Sequence, residues 1–237
     1  AVPGMESAWP LTTASGEKAL RVALAHLQAV QEPASLVSQA LFLRAVVHYA
    51  LQEHDVAVRL LRDLVRRTQP DKGEDPDEHM RSLAFLTLAR IHFQFDQLRY
   101  SVFYYDRVSS SSPLWLDAKL ENAWAHLRMG EQNEALSQLV TFADPFFSEH
   151  KPQERKLIQT LAFFENCRSA RALQVLEALK TEVVRTSEDL QRVLDAPDLA
   201  GAMGLRGAPG SRQPLSADLR RTVLGDGRLQ KMAQDQR

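Results

Sequence analysis

Apolar residues recur every three or four positions from about Glu17 to Val184, with no sustained alternation of apolar and polar residues between them. This spacing predicts a series of amphipathic α-helices and no strands. Glycine is scarce in the same span, with only Gly73 and Gly130 after Gly16, both where turns are expected. The predicted fold class is all-α.

The helices are written to a repeat. Three of them carry Ala-x-x-His, as Ala45–His48, Ala89–His92 and Ala123–His126, and twelve residues after each alanine stands a small residue: Ala57, Ser101, Ala135. A fourth unit has Ala172 in the second helix and Thr160 in the place of the alanine. Closely crossing helices need small side chains where their backbones approach. Large residues four positions further on, Leu61, Tyr105, Leu139 and Leu176, would fill the grooves. The second-helix small residues at 57, 101, 135 and 172 give steps of 44, 34 and 37 residues. The longest step contains QPDKGEDPDEH, residues 69–79, with five acidic residues and two prolines, which reads as a solvated loop. Asp75–Pro76 reads as a helix start, with Ser112–Pro113 and Asp144–Pro145 repeating the device.

A unit of about 34 residues with small residues at these offsets and a closing proline resembles the tetratricopeptide repeat (TPR). The clearest unit runs from Ser82 to Leu116, with Pro113 in the closing position. The resemblance implies a TPR-like right-handed α-solenoid of antiparallel helix pairs with a C-terminal helical tail. The predicted organisation is a flexible segment at 1–16 and a repeat domain at 17–184 of about four units, the first partial. A short helix and Gly/Pro-rich linker follow at 185–214, then a helical tail at 215–237 with Leu219, Val223 and Leu224 as its apolar face. Residues 17–31 read as the second helix of a further unit, which predicts more repeats N-terminal to this chain in the natural protein. More narrowly, Ser112, Pro113, Trp115, Leu116, Asp117, Glu121, Ala123, Trp124, Ala135, Leu136, Pro145, Phe147, Asn166 and Cys167 are similar to TPR proteins of myxobacteria and other delta-proteobacteria, some of them in the gliding-motility machinery. That likeness implies a soluble, periplasmic or envelope scaffold, with the cytoplasm as the other compartment.

Composition narrows the functions. Twenty-nine basic and thirty acidic residues leave a formal charge of −1, without the basic block that nucleic-acid binding favours. No apolar run approaches the roughly 20 residues of a membrane-spanning helix, so no direct membrane insertion is expected. Cys167 is the only cysteine, which excludes an intrachain disulfide and a multi-cysteine metal site.

Catalytic signatures are missing: no Gly-x-Ser-x-Gly elbow, no glycine-rich phosphate loop and no His-Glu-x-x-His pair occurs. His48, His92 and His126 fall one per repeat, too far apart to share an ion, and read as packing histidines at a place where TPR units carry an aromatic. Cys167 reads as a packed structural residue at a tight helical turn. The expectation is a protein with no enzymatic activity, cofactor or metal.

The remaining signal is a surface. In TPR proteins the first helix of each pair lines the inner side, which here projects Phe42, Val46 and Tyr49 from one unit and Leu86, Arg90, Phe93 and Gln94 from the next. Asp117, Leu120, Glu121, Trp124 and Arg128 follow, then Leu157, Leu161, Phe164 and Glu165. Only Arg90 matches the Lys, Arg and Asn with which some TPR domains clamp a C-terminal carboxylate. A helical or extended apolar segment of a protein partner suits this strip better. The predicted partner-binding residues are Arg90, Phe93, Gln94, Asp117, Leu120, Glu121, Trp124 and Arg128, with Trp124 and Arg90 as anchors. The sequence therefore reads as a non-enzymatic scaffold binding a partner segment in a multiprotein assembly. The alternative is self-association through exposed repeat ends and the C-terminal helix.

Overall fold

The computed structural model describes residues 14–70, 76–148 and 150–195. Among these, all regular structure is helical: α1 (Ala14–Gln28), α2 (Ala34–Ala50), α3 (His54–Arg67), α4 (Glu78–Gln94), α5 (Leu98–Tyr105), α6 (Trp115–Arg128), α7 (Gln132–Gln138), α8 (Pro152–Glu165) and α9 (Ser169–Leu194), with a 3₁₀ turn at Leu139–Ala143. The chain is an all-α solenoid of helix pairs, as the periodicity predicts. Most of the expected flexible start, residues 71–75 of the acidic loop, the Gly/Pro-rich linker and the helical tail lie outside the described residues.

Four pairs, α2–α3, α4–α5, α6–α7 and α8–α9, turn in the same way. One residue of each turn adopts positive φ: Gln52 at 63°, Asp96 at 60°, Gly130 at 74° and Cys167 at 56°. The residue after it donates its amide to the carbonyl five positions back, in Glu53→His48, Gln97→His92 and Glu131→His126 at 2.9 Å and in Arg168→Phe163 at 2.8 Å. The positive-φ residue donates to the carbonyl three back, closing a Schellman motif that satisfies carbonyls left free at the helix end. The small residue of the second helix then donates to the carbonyl of residue 53, 97, 131 or 168. The interval from Ala to small residue is thus set by one turn, used four times.

The helices fall into two packing units that divide between Ala125 and His126. In the first, Leu61, Leu64, Phe85, Leu88 and Tyr104 form the core, with Ala45, Ala84 and Ala89 where helices approach. Ser101 Oγ donates to the Ala89 carbonyl at 2.9 Å, so the two small residues of that pair touch directly. In the second unit Leu139, Phe142, Ile158, Ala162 and Ala172 are buried. Arg155 donates to the Phe142 carbonyl at 2.9 Å with its guanidinium 5.3 Å from the Phe142 ring centroid.

Three local expectations change. The N-cap of α4 is Asp77, whose carboxylate accepts from the Met80 amide at 3.0 Å, so the cap lies two residues beyond Asp75. Asp144–Pro145 begins no helix: Asp144 Oδ1 accepts from the Phe146 amide at 2.8 Å in a turn, and α8 starts at Pro152. The separate short helix expected after Val184 is the continuation of α9, which runs unbroken for 26 residues because nothing from Thr181 to Leu194 is a helix breaker.

Candidate partner-binding site

The first helices α2, α4 and α6 each lead a His into the turn, where α8 has Phe163. His48 Nδ1 lies 2.6 Å from Glu53 Oε2, His92 Nδ1 2.5 Å from Gln97 Oε1, and His126 Nδ1 2.8 Å from Glu131 Oε2. The ring donates to the residue whose backbone amide bonds the histidine's own carbonyl, so side chain and main chain close the same loop. This explains the recurrent His by local chemistry. Among the described residues no three His, Cys, Asp or Glu side chains gather as a metal site.

His92 is set apart by its surroundings. Its ring stacks on Tyr104 with centroids 5.3 Å apart and lies 5.4 Å from that of Tyr100. Burial depresses its pKa below the ordinary 6.5; the Gln97 bond opposes this and the Arg62 charge adds to it.

The first helices of unit 1 are joined by polar contacts. The Tyr49 hydroxyl on α2 donates to Gln94 Oε1 on α4. Arg90 on α4 grips Glu121 on α6 through Nε→Oε2 at 2.8 Å and Nη2→Oε1 at 2.6 Å. Tyr105 adds its hydroxyl to Glu121 Oε2 at 3.1 Å. The Glu121 hydrogen bond raises the Arg90 pKa, with partial burial opposing it and the charge on Asp117 assisting. The Tyr105 pKa is pushed far up, first by burial and then by the negative charge of Glu121.

Of the residues expected to bind a partner, Arg90 and Gln94 are exposed, Phe93, Asp117, Glu121 and Trp124 are half-buried, and Arg128 is exposed in unit 2. Leu120 is corrected: it is fully buried, like Leu86 in the equivalent position, and neither can touch a partner. The open row lies one residue further on, at Leu43, Thr87 and Glu121, a rotation of about 100° around the helix. Sequence reasoning misses Leu43 for this reason, although the polar residues in its row are a readable sign of the open side. Cys167 is corrected as well. It occupies the expected tight turn but is exposed, because its role there is backbone conformation and the thiol faces outward.

This architecture is that of a TPR-like helical repeat. Two solved structures resemble it: the nearly identical TPR-like repeats of a Podosopora anserina protein provisionally designated a kinesin light chain, and a single-substitution form of the same repeats. The substituted form superposes with a TM-score of 0.58 at 20% identity, covering 74% of this chain and 88% of the other. The unsubstituted form gives 0.56 at 20% identity, covering 71% and 85%. No family model and no curated protein matches the sequence. No described helix is long and apolar enough to cross a membrane.

Proposed function

We propose that the chain is a non-enzymatic scaffold whose α2–α4–α6 face binds a segment of a protein partner. Repeat folds of this type typically serve protein–protein interaction. The observation that carries the reading is the open row itself. Leu43, Val46 and Arg90 are exposed and Trp124 is half-buried along helices whose opposite rows are closed in the core. An apolar edge at Leu43 and Val46 runs into a polar centre at Gln94, Arg90 and Glu121. This favours a helical or extended segment with apolar side chains at one end and hydrogen-bonding groups at the other.

The clasp between Arg90 and Glu121 refines the role of Arg90. Its guanidinium is oriented by Glu121, leaving N–H donors and a planar face for a ligand. The resemblance to myxobacterial TPR proteins favours a bacterial envelope assembly, such as a gliding-motility complex, and a periplasmic site of action.

The test is capture of partners by the whole chain and by a Val46→Asp, Arg90→Ala, Trp124→Ala form with unchanged helicity. A partner kept by a Tyr100→Ser control on α5 and lost by the triple form supports this face. Retention by all three overturns it.

A further inference from the structure

In all four described second helices the residue two after the small one faces solvent: Arg59, Phe103, Ser137 and Gln174 are exposed. Three of these are polar, as an outer row is expected to be. Phe103, 46% exposed, has Tyr100, 59% exposed, one turn before it on the same side of α5. In Tyr100's register the other second helices carry Val56, Glu134 and Arg171. From these two rows, then, α5 alone among the described helices turns a pair of aromatic rings outward. The core side of α5 is filled by Ser101, Tyr104 and Tyr105 instead.

The two rings are set in positive charge. Arg107 donates from Nη1 to the Phe103 carbonyl at 2.7 Å, with its guanidinium 3.3 Å from the Phe103 ring centroid. Arg62 on α3 donates from Nε to the Tyr104 hydroxyl at 3.2 Å, which brings α3 beside α5, and Arg59 stands one turn before it. Among the described residues Arg59, Arg62 and Arg107 have no ion pair. Two aspartates of the same region are engaged: Asp63 accepts from Arg66, and Asp106 accepts from Asn122 Nδ2 at 2.8 Å. α3 and the stretch from Leu98 to Arg107 together carry six arginines against three aspartates, in a chain whose net charge is −1.

We propose that the α3–α5 face of unit 1 binds an acidic linear segment of a protein partner, with carboxylates on Arg59, Arg62 and Arg107 and an apolar side chain against Phe103 and Tyr100. Charge complementarity selects this occupant. A guanidinium held by a carbonyl bond and by the ring beside it keeps its remaining N–H donors for a carboxylate, at small cost in side-chain entropy. Single-stranded nucleic acid also uses arginine with aromatic residues, but it stacks its bases on open ring faces. Here Arg107 already covers a face of Phe103, and the Tyr100 ring lies against His92 with centroids 5.4 Å apart. The site is independent of the α2–α4–α6 face: its partner is lost on Tyr100→Ser and kept when Val46, Arg90 and Trp124 are changed.

The test is selection of short random peptides, displayed on phage, against the full-length Val46→Asp, Arg90→Ala, Trp124→Ala form, which carries no change on α3 or α5. The enriched peptides are then titrated by fluorescence anisotropy. Expected are acidic residues on both sides of an apolar one, and binding about tenfold weaker or more when Arg59→Glu, Arg62→Glu and Arg107→Glu are added at unchanged helicity. Tyr100→Ser with Phe103→Ser should weaken the same peptides while leaving their salt dependence intact. Peptides resynthesised with lysine at each acidic position should prefer the form with the three arginine substitutions. Enrichment of peptides without acidic residues, or of acidic peptides that bind every form alike, overturns the proposal. So does a labelled oligouridylate that binds the natural chain more tightly than any selected peptide and is lost in the arginine variant, which would make nucleic acid the ligand. A peptide-free mass that halves on the arginine substitutions would make a second copy the occupant and overturns it as well.

Discussion

α5 and α9 hold the same place in their helix pairs and are entered through the same turn, yet one is an eight-residue helix set in a core and the other runs for 26 residues beside an open face. Their register is identical: Ser101 and Ala172 are both buried at the crossing. What differs is the helix that comes next. α6 follows α5, and Tyr105 is closed over by Glu121, whereas Leu176 meets no such neighbour among the described residues. Burial at a repeat position is therefore a property of the following unit as much as of the residue.

The strongest way to break this comparison is to remove the side chain at matched positions. Leu61→Ala should lower stability by about 2–5 kcal/mol, seen as a large drop in the urea midpoint, because the cavity is enclosed. Leu176→Ala, at a side chain 42% exposed, should cost about 1 kcal/mol or less. Equal costs at Leu61 and Leu176 would mean that the two positions are closed alike.

The turns give the next largest effect. Gly130 sits at φ 74° with no atom within 4 Å of an added Cβ, so Gly130→Ala isolates the backbone term and should cost about 1 kcal/mol. Cys167→Gly, at φ 56°, should stabilise by up to about 1 kcal/mol, measured as a rise in melting temperature. If both substitutions proved neutral, the shared turn would not be a conformational constraint.

The smallest effect distinguishes the histidines. His92 has a depressed folded pKa, so the unfolded chain binds the proton first as pH falls past 6.5. Stability should be full above that pH and decline from there down to the folded pKa, with no further loss from this group below it. Denaturant midpoints for the natural chain and His92→Gln between pH 8 and 5 should converge toward the acid end. Gln97→Glu, which gives His92 the carboxylate that His48 and His126 already have, should flatten the slope.

The helix pairs are readable in the sequence because their spacing is imposed by one hydrogen-bonded turn, and Ala-x-x-His with a small residue twelve later is the direct imprint of that geometry. The site is less readable. Arg90, Gln94 and Glu121 do lie on the open side, but Leu86 and Leu120 fall one residue away from it, since amphipathic periodicity on a two-sided packed helix leaves the inner row ambiguous by a single step. Leu86 and Leu120 are apolar and belong to a core row, while Leu43, Thr87 and Glu121 vary in polarity as an open row does. The pairing of Arg90 with Glu121, 31 residues apart, is a tertiary contact that local spacing does not encode.

The fourfold turn has a consequence for how the chain acquires its structure. Each pair closes across only twelve residues, from Ala89 to Ser101 for example, so its loop-closure entropy is small and the contact forms early. The intervals between pairs vary as 44, 34 and 37 residues without altering that closure. Low contact order of this kind favours rapid folding that begins at any hairpin and spreads to its neighbours. Residues inserted between pairs would then lengthen the path to docking while leaving the nucleus intact.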